Sequence, residues 1–152
     1  MSLSSSMGIS ASGMSAQRLR MDVISDNIAN VNTTRGADGG PYRRKFVVFT
    51  ERNPSVSAQR GRSEPRTLKS RGYVVAGRGV VVQGIVEDSG EPRMVYDPEH
   101  PDADENGYLA MPNVDIVREM VDMISASRAY EANVTAVNAG KYMLMRALDI
   151  GR

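Results

Sequence analysis

The sequence predicts an α+β fold in which long N- and C-terminal helices pack as a coiled coil, with a small β-rich insertion between them. Three observations predict it: all seven prolines fall between Pro41 and Pro112, apolar residues recur every seven positions at both ends, and short β-favouring runs fill the middle. The predicted parts are residues 1–34, 35–111 and 112–152. With 41% hydrophobic and 5% aromatic residues, the 152-residue chain supports only a modest core.

The first region, from Ser10 to about Val31, has the spacing of a helical seam. Two sets of apolar residues lie seven positions apart, namely Met14, Met21 and Ile28, and Ile24 and Val31. Ser10 or Ser12 is expected to cap the start of the helix, and a polar run ending at Gly36 is expected to stop it. Gly13 weakens the first turn by about 1 kcal/mol.

The middle region contains four short β-favouring runs that are separated by glycines and prolines. They are residues 46–49, 73–76, 80–86 and 94–96. The connection from Glu87 to Pro92 is predicted to form a hairpin between the last two of these runs. Residues 53–71 contain many arginines and little apolar periodicity, so we expect a basic loop there.

The last region, from Asn113 to Leu148, fits a heptad pattern better than any other template. One set is Ile116, Met123, Tyr130, Val137 and Leu144, and the other is Met120, Ser127, Val134, Lys141 and Leu148. Ile124 is a further apolar residue that we assign to the predicted interface. Ser127 and Lys141 are polar departures from the pattern, which lower stability and specify register.

The terminal helices are expected to pair with each other and with neighbouring subunits. Burial of each Leu, Met or Ile contributes roughly 1.5–3 kcal/mol, whereas an isolated helix leaves its seam in water and stays marginal. An ordinary helical core is the alternative explanation, but these helices lie at the extreme ends and have little other apolar surface to pack against. Eight of the ten methionines lie outside the middle region, and methionine suits interfaces with non-identical neighbours.

Charge is divided along the chain, although the formal net charge is only +1. Residues 1–34 carry two basic and two acidic residues, residues 35–82 carry eleven and three, and residues 83–152 carry six and thirteen. A basic middle and an acidic remainder attract copies of the chain or its relatives, because complementary fields steer association. Neutralisation within one subunit is the alternative reading of the same pattern.

The residue types argue against a catalytic, cofactor or metal site. There is no cysteine, which excludes disulfides, thiolate ligands and cysteine nucleophiles. Asp102 to Gly107 follow the opening of a calcium loop, but Asn113 stands at the twelfth position, where a bidentate glutamate is needed. His100 is the only histidine and has no nucleophile motif nearby. The N-terminus predicts no cleaved secretory signal, and no apolar run is long enough to span a membrane.

The basic cluster Arg43, Arg44 and Lys45 is the best candidate for a different class of function. With the arginines between residues 60 and 71, it is compatible with nucleic-acid binding through phosphate neutralisation. Residues 60–71 contain no interleaved aromatic residue and no nucleic-acid module is visible, so we predict no nucleic-acid partner. We expect the cluster to make electrostatic contact with acidic surfaces of adjacent subunits.

The two ends of the chain resemble a known protein family. Residues 24–33, preceded by Ala16, Gln17 and Arg18, are similar to the N-terminal signature of flagellar rod and hook proteins, and residues 119–121 and 128–133 are similar to the C-terminal helix motif of that family. Residues 38–43 and 96–114 narrow the resemblance to subunits of the proximal rod. The signature residues are Asn27, Asn30, Glu119, Arg128, Tyr130, Glu131 and Asn133.

The resemblance implies a structural subunit of the bacterial flagellar basal body, without catalysis or cofactor. It implies helical polymerisation coupled to folding, with the terminal helices lining an axial channel in the periplasmic rod. The implied partners are copies of the chain, other proximal and distal rod proteins, the adaptor between the rod base and the MS ring, and the flagellar type III export apparatus. The alternatives are a small helical adaptor that closes its helices into a bundle and, behind it, a nucleic-acid-binding protein.

Overall fold

Two antiparallel helices form the long axis of the molecule. The computed structural model describes residues 3–36, 39–52 and 79–151. Helix α1 is Leu3–Ala29 and helix α2 is Ile116–Ile150. Asn27 lies against Glu119 near one end of the pair, and Met7 lies against Gly140 near the other. With the strands between them, these helices confirm the predicted α+β class.

Helix α1 begins earlier than the sequence pattern predicts, so the expected cap at Ser10 or Ser12 is wrong. The Ser12 hydroxyl lies inside the helix, where it donates to the Ile9 carbonyl at 2.6 Å and accepts the Val80 amide at 3.1 Å. The serine-rich first turns have weak helix propensity, but packing against α2 overrides it. Ser12 therefore joins α1 to the β-region and does not cap the start of the helix.

Helix α2 begins at a conventional N-terminal cap. The Asp115 carboxylate accepts the backbone amides of Val117 at 2.9 Å and Arg118 at 3.4 Å. Such a cap satisfies amides that have no partner within the helix and is worth about 1 kcal/mol. The cap fixes where α2 starts and places Glu119 in its first turn, beside α1.

The strands form two separate two-stranded antiparallel sheets. Strand β1, Lys45–Glu51, pairs with β2, Val80–Glu87, and this ladder packs against α1. Strand β3, Arg93–Tyr96, pairs with β4, Tyr108–Met111. These strands confirm the predicted runs at 46–49, 80–86 and 94–96, and β4 was not predicted. The run at 73–76 and the basic loop at 53–71 lie outside the described residues.

The predicted hairpin between β2 and β3 is wrong, because each of these strands pairs with a different partner. The Asp88 amide continues the β1–β2 ladder by donating to the Arg44 carbonyl at 2.7 Å, and the Asp88 carboxylate then accepts the Gly90 amide. Pro92, just before β3, has no amide to donate to a ladder. The chain therefore leaves the first sheet, and β3 pairs with β4.

The hydrophobic core is small. The buried apolar residues of the described chain are Ala16, Val23, Ile24, Leu109, Val114 and Ala126. Two of the six are alanines, and α2 buries Gly140 as well, so much of the interior between the helices is lined by short side chains. No helix within the described ranges combines the length and apolar character needed to cross a membrane.

Candidate assembly surfaces and the polar cluster between the helices

A buried polar cluster joins α1, α2 and the start of β1. Asn27 and Glu119 are its centre, with 1% and 0% of their surfaces exposed. The Asn27 Nδ2 atom donates to Glu119 Oε2 at 3.1 Å and to the Lys45 carbonyl at 2.8 Å, while Asn27 Oδ1 accepts the Lys45 amide at 2.9 Å. One asparagine thus binds both the other helix and the backbone of the adjoining strand.

Arg44 supplies the charge that balances the buried Glu119 carboxylate. Its Nε and Nη2 atoms each lie 2.6 Å from Glu119 Oε1, and the arginine side chain is 21% exposed. Asp122, one turn further along α2, lies 3.8 Å from Arg44 and 3.0 Å from Arg20. A carboxylate without water requires such a partner, because an unpaired buried charge costs several kcal/mol.

Tyr42, in the segment 39–44 that precedes β1, is a further member of the cluster. Its hydroxyl lies 3.0 Å from Asn27 Oδ1 and 3.1 Å from Asp26 Oδ2. Burial raises the pKa of Tyr42 far above its ordinary value, and the hydrogen bond to Asp26 and nearby carboxylates raise it further. The phenol is therefore a permanent donor at physiological pH. The Lys45 ammonium lies 5.2 Å from the Tyr42 ring centre.

The predicted basic contact residues divide into two groups in the structure. Arg44 pairs with Glu119, and Lys45 lies 3.8 Å from Asp26, so both have partners within the chain. Arg43 is exposed and makes no ion pair with any described residue. An electrostatic contact of these residues with another subunit stays a prediction, and Arg43 is the residue best placed for it.

The other family-signature residues lie along the helices. Asn30 follows α1, where its Nδ2 donates to the Asp26 carbonyl at 2.9 Å. Asn133 donates to the Ala129 carbonyl at 2.8 Å and lies against Gly13. Tyr130 is half-buried, whereas Arg128 and Glu131 are exposed. Only the resemblance, and no periodicity, pointed to Asn27 and Glu119 before the structure placed them together.

The helix pair uses a seam that the apolar pattern did not reveal. Residues of α1 that lie against α2 include Gly13, Arg20 and Asn27, which are seven positions apart. The facing positions of α2 are also seven apart and are small or polar, namely Glu119, Ala126, Asn133 and Gly140. A search for apolar periodicity does not detect such small or polar residues. Their regular spacing is the signal that identifies the seam.

The predicted interface residues lie around this seam with very different exposure. Ile24 is buried, and the half-buried members are Met14, Met21, Ile28, Val31, Met123, Tyr130, Val134 and Val137. The exposed members are Ile116, Met120, Ile124, Leu144 and Leu148. The structure contains one chain, so a role of these residues between subunits stays a prediction.

An apolar stripe on α2 faces away from α1. Val117, Met120, Val121 and Ile124 are 55–70% exposed and follow the i, i+3, i+4, i+7 spacing of one helix face. Ile124 is five residues from Glu119, which is about 140° around the helix. We call these four residues the outer stripe. It is a second side of α2, distinct from the side that binds α1.

Helix α2 also extends beyond the start of α1. Because Met7 lies against Gly140, the last turns of α2 pass the N-terminal end of α1. The exposed apolar residues of this part are Tyr142, Met143, Leu144, Met145, Leu148 and Ile150. A solvent-exposed apolar helix end of this size is characteristic of a segment that binds another surface.

Comparison with known proteins places both ends of the chain in flagellar rod families. Residues 7–37 match the family described as flagella basal body rod protein, and residues 105–150 match the family described as flagellar basal body rod FlgEFG protein C-terminal. These two ranges contain most of α1 and all of α2. They also contain Asn27 and Glu119.

Similar proteins match the chain over nearly its whole length. The flagellar basal-body rod protein FlgC of Bacillus subtilis is 48% identical over 97% of both chains, and that of Borreliella burgdorferi is 49% identical over 99% of this chain and 98% of its own. The FlgC protein of Salmonella typhimurium is 39% identical over the full length of both. The predicted resemblance is confirmed: the chain belongs to the FlgC family of flagellar basal-body rod proteins, which are structural rod subunits and not enzymes.

Proposed function

We propose that this chain polymerises helically, with copies of itself and with other rod proteins, into the proximal part of the flagellar rod. In this proposal residues 1–34 and 112–152 form the axial core and line the export channel. Residues 35–111 form an outer part that contacts neighbours. The assembled rod then acts as a drive shaft that transmits torque.

The observation that carries this proposal is the outer stripe on α2. Helix α1 already covers the opposite side of α2 through the polar cluster and the small-residue seam. The outer stripe is left in water in a single chain, and full burial of each such side chain contributes roughly 1.5–3 kcal/mol. A polymer supplies this burial repeatedly, since every added subunit covers the stripe of another.

The remaining partners and the location follow from the same proposal. The chain is exported through the flagellar type III apparatus without a cleaved signal and reaches the rod in the periplasm. There it contacts other proximal and distal rod proteins and the adaptor at the MS ring. Export as an unfolded chain suits a small core, because the stabilising contacts form at the growing rod.

The test replaces Ile124 or Val134 with aspartate in a motile strain. A charge on the outer stripe, or at the half-buried Val134, costs several kcal/mol once a neighbour excludes water from it. Both variants should still be exported but should be missing from isolated basal bodies, and the cells should not swim. Immunoblots of the exported fraction and of purified basal bodies measure the two steps separately.

Asn138→Asp is the matched control, because it adds the same charge at an exposed polar position of the same helix. We expect normal rods and normal swimming from it. Normal assembly of both Ile124→Asp and Val134→Asp would remove the support for α2 as a subunit contact. If Asn138→Asp also prevented rod assembly, any new negative charge on α2 would be harmful. The result would then give no evidence for a specific role of the outer stripe.

A further inference from the structure

The β3–β4 sheet has an open aromatic face. Tyr96 and Tyr108 are directly opposite each other across the sheet, with ring centres 5.4 Å apart in an edge-to-face arrangement. Met94 lies two residues before Tyr96 and therefore on the same face. These three side chains are 65%, 47% and 53% exposed. We call them the aromatic face.

The opposite side of the same sheet faces inward. Leu109, next to Tyr108 in β4, is only 3% exposed, as the alternation of side chains along a strand requires. No other described helix or strand runs alongside β3 and β4. The aromatic face is therefore an unpartnered sheet surface, while its inner side is already packed.

The hairpin that carries the aromatic face is rich in carboxylates. Residues 93–111 contain five acidic residues and one basic residue. One of them, Asp102, accepts the Thr34 hydroxyl at 2.8 Å and pairs with Arg35, but Asp97, Glu99, Asp104 and Glu105 are at the surface. Exposed aromatic rings in an acidic hairpin suit arginine guanidinium groups, which stack on rings and bind carboxylates through their fork of donors.

The complementary charge lies in the same sequence. Residues 53–71 contain five basic residues and one acidic residue, so this arginine-rich segment and the 93–111 hairpin carry net charges of +4 and −4. The four arginines of this segment, Arg60, Arg62, Arg66 and Arg71, give several guanidinium groups for the two exposed rings. Because the two net charges are opposite and equal in size, the arginine-rich segment is a suitable binding partner for the 93–111 hairpin, and the chain itself provides it.

The β1–β2 ladder separates the attachment points of these two segments. The Arg52 amide donates to the Gly79 carbonyl at 2.9 Å, so residues 53–78 leave and return at the Glu51 and Val80 end of the ladder. The chain that leads to β3 leaves from the other end, where Lys45 pairs with Glu87. Six residue steps along a strand place these ends about 20 Å apart.

We propose that the aromatic face binds the arginine-rich segment, residues 53–71, of a second copy of this chain. Opposite charges attached at opposite ends of one ladder favour a head-to-tail contact, which repeats from one copy to the next. This inference rests on the proposed polymerisation. It adds a contact made by the β-region, which is separate from the contact through α2.

Introduced cysteines test the contact, because the chain has none of its own. Glu105→Cys and Arg62→Cys are expressed as two separate single variants in one strain, and isolated basal bodies are treated with a mild oxidant. We expect disulfide-linked dimers of the two variants and a loss of that band in 1 M salt, where screening shortens the electrostatic range to about 3 Å. Glu131→Cys with Arg62→Cys is the control, since Glu131 is an exposed acid on α2.

The outcomes separate this inference from the proposed function. Presence of the chain in rods without the dimer would overturn the contact and leave the rod function intact, whereas absence of the unmodified chain from rods would contradict the function itself. A disulfide that forms only when both cysteines are in one copy would overturn the contact between copies. Glu99→Arg with Glu105→Arg, and Arg62→Glu with Arg66→Glu, should each abolish swimming, and combining them should restore it.

Discussion

Replacing Glu119 with alanine should destabilise the folded chain more than the same replacement of any other acidic residue on α2. The carboxylate is fully buried, binds Arg44 through two 2.6 Å contacts and accepts the Asn27 amide. Loss of one partner of a buried ion pair costs about 3–5 kcal/mol, because the other charge remains without water or counter-ion. The Arg44 side chain is 21% exposed and regains some water, so the expected loss is about 3 kcal/mol.

Asp122→Ala is the matched control for this prediction. Asp122 is also a carboxylate on α2 that pairs with arginine, but its side chain is 34% exposed and that of Arg20 is 35% exposed. An exposed pair of this kind contributes only about 0.2–1 kcal/mol. Glu119→Gln should lie between the two, because it keeps the shape but places an amide opposite the Asn27 amide.

Urea unfolding of the purified chain, followed by circular dichroism, measures these losses. A fixed concentration of a stabilising osmolyte keeps every variant folded at the start of the titration. Equal losses for Glu119→Ala and Asp122→Ala would refute the reasoning, since burial would then make no difference. A change in the slope against urea would indicate that the variant alters compactness and that the two losses are not comparable.

Two further predictions concern the junctions between α1 and the β-region. Tyr42→Phe should remove the tyrosine that ionises last in an absorbance titration, because burial and Asp26 raise the pKa of Tyr42, and the stabilisation from this group should decline as pH rises above about 10. Gly79→Ala should cost about 2 kcal/mol in urea unfolding, because Gly79 has φ of 94° and an added Cβ meets Ser12. Gly84→Ala, with nothing within 4 Å, should be nearly neutral.

The terminal helices were predictable because their apolar residues recur at a strong helical period. The same reasoning missed where the helices touch, since Gly13, Ala126 and Gly140 carry too little apolar surface to register in such a pattern. Apolar periodicity reports every side of a helix that becomes buried, in one chain or in an assembly. It therefore marked the outer stripe together with the apolar residues that lie around the seam, and it did not distinguish the two sides.

Strand pairing was less predictable than strand position. Three described strands were expected from β-branched and aromatic runs, but the pairing of β3 with β4 depends on Tyr108, which is twelve residues beyond Tyr96 along the chain. A local pattern does not report such a partner. The roles of Asn27 and Glu119 were equally hidden, because apolar periodicity does not detect polar residues and their pairing depends on contacts between distant parts of the chain.

The two sides of α2 differ in how strictly they select a partner. On the inner side, sliding the helices by one turn would leave Glu119 buried without Arg44 and Asn27. The free-energy penalty of that unpaired charge exceeds the stabilisation that a small apolar core provides. On the outer side, apolar burial is non-directional and accepts neighbours of different sequence and register. Polar contacts therefore set the shape of each subunit, and the apolar stripe supplies affinity without fixing the identity of the neighbour. This division suits a subunit that must contact both its own copies and other rod proteins.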